Sequence, residues 1–188
     1  MFSVKHCGLV LACLIFFMGC STAKNRCDRV VPEALRTCLA TYSAGLQECY
    51  VATGQTCEAG NDVLALSLQS LDVAITDACD DGEWGGFTGE ALSDRLQSAC
   101  AADSNSISWR SYGGPQGAVY GEAESADQIC MVSAHEIAVQ FVDQSLVAIN
   151  LCLSEDTCDV QALEAERTVL SNQASQQVGE SCPNLANL

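Results

Sequence analysis

The sequence predicts an all-α protein made of two disulfide-stapled antiparallel helical hairpins, with one extra short helix in the first half. Three observations lead to this fold class. Eight cysteines repeat their spacing between the two halves of the chain, apolar residues recur at helical intervals, and the connections contain turn-forming residues. The helices are expected to pack as one compact, bundle-like domain.

The cysteine spacing defines the two hairpins. Each half of the chain has four cysteines whose outer members are 52 positions apart, and in both halves the second follows the first after 22 positions. A helix of that length is about 33 Å long, and its ends lie within about 40° of the same face. We interpret the repeat as an internal duplication. The cysteines are Cys27, Cys49, Cys57 and Cys79 in the first half, and Cys130, Cys152, Cys158 and Cys182 in the second.

The hairpin geometry selects one disulfide pattern among many. Eight cysteines allow about 105 connectivities, but a bridge needs Cα atoms within about 7 Å of each other. In an antiparallel hairpin the inner pair meets at the closed end and the outer pair at the open end. Cys38 and Cys100 have no counterpart in the second half and are left for each other. The predicted bridges are Cys27–Cys79, Cys49–Cys57, Cys38–Cys100, Cys130–Cys182 and Cys152–Cys158.

The apolar periodicity places five helices along the chain. The first is expected to begin near Pro32, because proline suits the first helical position, so Cys27 would precede it. The third, shorter helix is expected from Thr88 to Ala102. The fourth begins at the capping box of Ser125 and has an apolar face wide enough to contact several neighbours. The fifth has a thinner apolar stripe and is expected at the edge.

The first residues have the pattern of an export signal. A basic start precedes a 12-residue apolar run from Cys7 to Met18, which is too short for a membrane-spanning helix. Phe17-Met18-Gly19-Cys20 resembles the lipobox of bacterial lipoproteins. The resemblance implies lipidation of Cys20, attachment to a membrane through that lipid, and a place in the bacterial cell envelope. Ser21-Thr22-Ala23 is a competing cleavage site that would give a freely secreted protein, and a retained membrane anchor is a third alternative.

These observations divide the chain into segments. Residues 1–19 form the signal peptide, 20–26 a tether, 27–102 the first hairpin with the third helix, 103–124 a loop rich in glycine and aromatic residues, and 125–188 the second hairpin. Apart from Cys20, ten cysteines follow the signal peptide, an even number that indicates a fully oxidised exported protein.

The charge balance argues against two classes of partner. The chain has 24 acidic and 8 basic residues, and its net charge is −16. Nucleic acids and anionic lipid surfaces both require clustered Lys and Arg, so neither is expected to bind. The acidity is interpreted as a source of solubility, with binding of a cation or a cationic partner as the alternative.

No motif of catalysis or metal binding is complete. His135-Glu136 begins the zinc-protease pattern, but Val139 stands where the second histidine is needed, so His135 is interpreted as a packed helix residue. The string from Asp77 to Gly82 resembles a calcium loop only in part, since Cys79 occupies a position that needs an oxygen ligand. The nucleophile-elbow and phosphate-loop patterns are absent from the sequence. We therefore expect no catalytic residue, metal or cofactor.

The best candidate for ligand binding lies in the irregular stretch 103–121. An arginine flanked by aromatic rings can bind a carboxylate, and adjacent glycines let a ligand approach the backbone. In the alternative interpretation Arg110 neutralises nearby helix ends or acids, while the aromatic rings fill the gap between the hairpins. The candidate residues are Trp109, Arg110, Tyr112, Gly113 and Gly114.

The sequence thus favours an exported, lipid-anchored, non-catalytic interaction or structural module of the cell envelope, with another envelope protein as its partner. Two alternatives come from other classes. One is a secreted hydrolase with a site around Arg110 and Tyr112. The other is a carrier of a small apolar ligand, held in a cavity within the wide apolar face of the fourth helix.

Overall fold

The computed structural model describes residues 26–55, 57, 62–82, 85–113, 119–154 and 158–183. These residues form five α-helices and one 3-10 turn and contain no strand, so the all-α, bundle-like fold is confirmed. The predicted signal peptide, Cys20 and Gly114 lie outside the described residues. The elements are α1 (Arg26–Thr53), α2 (Asp62–Ala78), α3 (Gly89–Tyr112), the 3-10 turn (Tyr120–Glu122), α4 (Ser125–Ser154) and α5 (Val160–Ser181).

Helix α1 lies at the centre of the fold. It packs against α2, α3 and α4, while α3 also contacts α2 and α4. The wide apolar face of α4 contacts α1, α3 and α5, so it has several neighbours as predicted. Helix α5 packs against α4 and has no buried residue of its own, which agrees with its predicted place at the edge. Within the described part of the chain, no helix has the length and apolar character needed to cross a bilayer.

Five disulfides join the pairs that the spacing predicts, with Cα–Cα distances of 4.7 to 6.2 Å. Each hairpin is bridged at its open end and at its closed end, and Cys38–Cys100 fastens α3 to α1. So many bridges indicate an oxidising, extracytoplasmic environment. A common origin of the two hairpins stays a prediction.

The prediction that α1 begins near Pro32 is wrong. The helix begins at Arg26, so Cys27 lies inside it and Pro32 in its second turn. A proline there removes one intrahelical hydrogen bond, but two long-range contacts hold the preceding turn against the end of α2. One is the Cys27–Cys79 bridge, and in the other Arg26 Nη1 donates to the Asp77 carbonyl oxygen at 2.9 Å.

The predicted end of the third helix is also wrong. Helix α3 continues from Ala102 to Tyr112, so the first ten residues of the predicted 103–124 loop are helical. Ser104 and Ser108, in this extension, are fully buried, and Ser108 meets His135 on α4. The helix ends at Gly113, whose φ of 112° lies in the left-handed region and whose N–H donates to the Trp109 carbonyl at 3.1 Å.

The core lies between α1, α2 and α3 and reaches the start of α4. An aromatic cluster closes it at the end where the α1–α2 hairpin turns. Tyr112 stacks on Tyr50 with a ring-centroid distance of 4.9 Å and meets the edge of Tyr120 at 5.8 Å. The largest fully buried aliphatic side chains are Val31, Leu46, Leu71 and Ile75.

Candidate ligand-binding grooves

The predicted ligand residues lie at the end of α3 but point into different surroundings. Trp109 and Arg110 are exposed, Tyr112 is fully buried, and Gly113 is the helix cap. Burial raises the pKa of Tyr112, and the Glu136 carboxylate acts in the same direction. The Tyr112 phenol therefore stays protonated, and its ring belongs to the aromatic cluster.

Arg110 lines a groove between α3 and α4, here called the Arg110 groove, with a volume of about 510 Å³. Arg110 and Ser106 are one turn apart on the same face of α3. No acidic residue lines the groove within the described part of the chain, and no described side chain forms an ion pair with Arg110. The apolar walls come from Ile107 of α3 and from Met131, Ala134, Ala138, Phe141 and Val142 of α4.

No protein-family model, curated protein or solved structure matches this chain.

A buried polar network lies beside the Arg110 groove, where α1, α3 and α4 meet. Gln47 Nε2 donates to Glu136 Oε1 at 3.0 Å, which turns Gln47 Oε1 toward His135 Nδ1 at 2.8 Å. Nδ1 must then carry the ring hydrogen, so Nε2 accepts from the Ser108 hydroxyl at 3.2 Å. The order Ser108, His135, Gln47 resembles that of a hydrolase triad with an amide in the third place.

Burial excludes a catalytic use of this network in the described conformation. Ser108 has no exposed surface and His135 is only 1% exposed, so a substrate cannot reach the hydroxyl. Burial also lowers the pKa of His135 to about 4, although Glu136 raises it. Ser108, His135 and Gln47 thus connect three helices through neutral groups, and the Glu136 carboxylate accepts from Gln47 at the exposed end of the network. Two to three helical turns away along both helices, Arg36 of α1 binds both carboxylate oxygens of Asp143 of α4, at 2.8 and 3.1 Å.

The hydrolase alternative gains no support from the site. Arg110 and Tyr112 do not converge on one pocket, and the Arg110 groove has no carboxylate among its described lining residues. Nor do the described residues include a group of three His, Cys, Asp or Glu side chains placed to hold a metal ion.

A second and larger groove, of about 770 Å³, lies between α1 and α2 and is here called the α1–α2 groove. Its walls are mostly apolar or small side chains, and Arg26 and Arg29 lie at one end. Leu66 and Val63 on its α2 wall are 58% and 45% exposed. Other wall residues are Val30, Ala34, Thr37, Ser67, Ser70 and Ala74.

Sequence reasoning missed both the network and this groove. The partners of His135 are 27 and 88 positions away, so no local pattern marks them. The α1–α2 groove had a readable signal, because Val30, Ala34, Thr37 and Thr41 recur at spacings of three and four along α1. These residues lie beside the apolar stripe by which α1 packs into the core. The sequence does not tell which side of that stripe is left exposed by the neighbouring helices.

Proposed function

We propose that this protein is an exported, lipid-anchored, non-catalytic interaction module of the bacterial cell envelope that binds a partner protein along the α1–α2 groove. The observation that carries the proposal is this groove, an open apolar surface whose walls are held by disulfides. Large exposed apolar patches on soluble domains are typical of interaction sites.

The bridges fix the groove before a partner arrives. Cys27–Cys79 joins the walls at one end and Cys49–Cys57 restrains them at the other. Between them Cys38 lines the groove and is bonded to Cys100 of α3. A preformed site binds more tightly, because less conformational entropy is lost on association. Two parallel walls with small side chains suit an amphipathic helix, which lays its apolar face into such a groove.

Photocrosslinking tests the docking surface in cells. A photoreactive amino acid at Leu66 should give a discrete crosslinked product with one envelope protein. The matched control is the same amino acid at Val169, which is 53% exposed but lies on α5, away from the groove. No product from Leu66, or the same products from both positions, would contradict docking in the α1–α2 groove.

The lipid anchor is tested separately by mass. The lipobox resemblance and the disulfide-rich fold support the proposal, and the membrane-extracted protein should begin at a diacylglyceryl-modified Cys20. Its mass should also show ten hydrogens lost to five bridges. Cys20→Ser should release the protein from the membrane, so unchanged membrane association of this variant would refute the anchor.

A second candidate function is that of a small-ligand carrier. The observation that favours it is the Arg110 groove, which combines an apolar wall of α4 with an arginine that has no described acidic partner. This site is independent of the α1–α2 groove, and a carrier could still be anchored by Cys20.

A further inference from the structure

The Arg110 groove is amphipathic along its length. Arg110 and Gly113 lie in and just after the last turn of α3, close to where α4 begins. Phe141 and Val142 line the groove about three turns further along α4 than Met131. A ligand in this groove would thus meet the cation of Arg110 and the hydroxyls of Ser106 and Ser111 on the α3 side, and hydrocarbon along the α4 wall.

The charge of Arg110 is available to a ligand. Both described ion pairs belong to Arg36, so Arg110 is one of several described arginines without an acidic partner. Arg110 differs from Arg26 and Arg29 in lining a groove that has no acidic residue among its described lining, whereas Glu33 lines the groove beside those two arginines. Its place in the last turn of α3 gives it a favourable interaction with the helix dipole, but that interaction does not require the side chain to line an apolar groove. The hydroxyl of Ser106, on the same face, also has no hydrogen-bond partner among the described residues and can serve as a second donor.

The dimensions fit one hydrocarbon chain. The α4 wall from Met131 to Val142 is about 16 Å long, and one leaflet of a bilayer core, the depth of one acyl chain, is about 15 Å. The volume of about 510 Å³ lies within the range of small-ligand sites.

We propose that the Arg110 groove binds one long-chain fatty acid, with its carboxylate on Arg110 and its alkyl chain along α4. Arginine suits this role because its planar guanidinium donates two parallel hydrogen bonds to a carboxylate. The inference rests on the carrier candidate and adds the chemical class of the ligand.

The test uses the purified, oxidised mature protein and two probes of equal chain length, hexadecanoate and the neutral hexadecanol. Each probe displaces a neutral fluorescent dye, and dissociation constants are measured for the wild type and five variants. Arg110→Gln and Arg110→Lys change the contact with the head group, and Ala138→Phe places a larger side chain in the groove. Arg167→Gln, on the exposed face of α5, and Leu66→Gln, in the α1–α2 groove, are the matched controls. Unfolding in urea shows that each variant is folded.

The wild type should bind one hexadecanoate, more tightly than hexadecanol. Arg110→Gln should weaken hexadecanoate binding about tenfold or more, as expected for loss of a charged hydrogen bond, and leave hexadecanol binding unchanged. Arg110→Lys keeps the charge but loses the paired hydrogen bonds of the guanidinium, so it should weaken hexadecanoate binding, though less than Arg110→Gln does. Ala138→Phe should weaken the binding of both probes, and both controls should bind like the wild type.

Other results overturn the inference in distinguishable ways. Equal binding of both probes, unaffected by Arg110→Gln, refutes the carboxylate contact and leaves the carrier candidate standing. If Leu66→Gln loses binding and Ala138→Phe does not, the ligand binds in the α1–α2 groove, which contradicts this proposal. If neither probe binds, the carrier candidate is refuted together with the inference, while docking in the α1–α2 groove is unaffected.

Discussion

His135 makes the stability of the folded protein depend on pH. Its folded-state pKa of about 4 lies below the value of about 6.5 expected in the unfolded chain. Between these values the unfolded state binds more protons than the folded state. The stability that comes from burying a neutral His135 is therefore complete above pH 6.5 and is lost as the pH falls to 4. The loss should be about 3 kcal/mol.

Urea unfolding of the wild type and of His135→Asn at pH 7, 5.5 and 4 tests this dependence. Carboxylates titrate in both proteins, so the difference between them isolates the imidazole. At pH 7 the variant should be less stable by about 1–3 kcal/mol, because the buried Ser108 hydroxyl loses its acceptor. Since only the wild type loses about 3 kcal/mol through the imidazole by pH 4, this difference should close or reverse there. A constant gap would show that His135 does not titrate as expected.

Two glycines bring the hairpin turn of α1–α2 against the 3-10 turn before α4. A Cβ at Gly121 would lie 3.1 Å from the Gly54 Cα and 3.2 Å from its carbonyl oxygen, and backbone cannot rotate away as a side chain can. Gly121→Ala should therefore lower the free energy of unfolding by about 1–3 kcal/mol. Gly179→Ala, in α5, is the control: its Cβ would enter open space, so it should raise stability by about 0.5 kcal/mol. Thermal unfolding that ranks the variants otherwise would contradict this packing.

At the scale of the elements, spacing alone was sufficient to predict the hairpins. Paired cysteines and apolar stripes constrain long helices independently of local propensity, and so the bridges could be placed. The ends of the helices could not be predicted in this way, because they depend on tertiary contacts. Ser104 and Ser108 have weak helix propensity, but their small side chains fit a buried seam, and packing overrides propensity there. Likewise Cys27 is helical because its bridge holds the turn before Pro32.

The bridges should differ in the stability they contribute. Cys38–Cys100 spans 62 positions and Cys152–Cys158 spans 6. The chain-entropy model gives about 4 kcal/mol for the first loop and about 2 kcal/mol for the second. Replacing each pair by alanines and measuring urea unfolding should give losses in that order. The reverse order would show that strain or residual structure in the unfolded chain dominates.

The candidate site was predictable in part, and the limit is again the tertiary structure. Arg110 could be singled out from its neighbours in the sequence, but its separation from Tyr112 follows from the helical extension, which turns Arg110 toward α4 and Tyr112 into the aromatic cluster. The apolar wall beside Arg110 belongs to α4, which begins only at Ser125, so the sequence around Arg110 does not reveal it.

At the scale of the whole molecule, the two hairpins are unequal despite their matching bridges. The first is covered by α3 and α4, whereas in the second α5 packs against α4 and has no buried residue of its own. Segments with few buried contacts open locally without global unfolding. The Cys130–Cys182 bridge, whose sulfurs are buried, then becomes the main restraint on the far end of α5.

Hydrogen exchange should reveal this inequality. In the oxidised protein the amides of α5 should exchange at least about tenfold faster than those in the middle of α1, because opening α5 exposes little apolar surface. Replacing Cys130 and Cys182 by alanine should accelerate α5 further and leave α1 unchanged, since α1 is bridged separately. A variant without the Cys152–Cys158 bridge serves as the comparison. Its exchange should be faster only at the closed end of the second hairpin. If α5 and α1 were equally protected, or if α1 also accelerated in the Cys130/Cys182 variant, the molecule would open as a single unit and the edge position of α5 would have no energetic consequence.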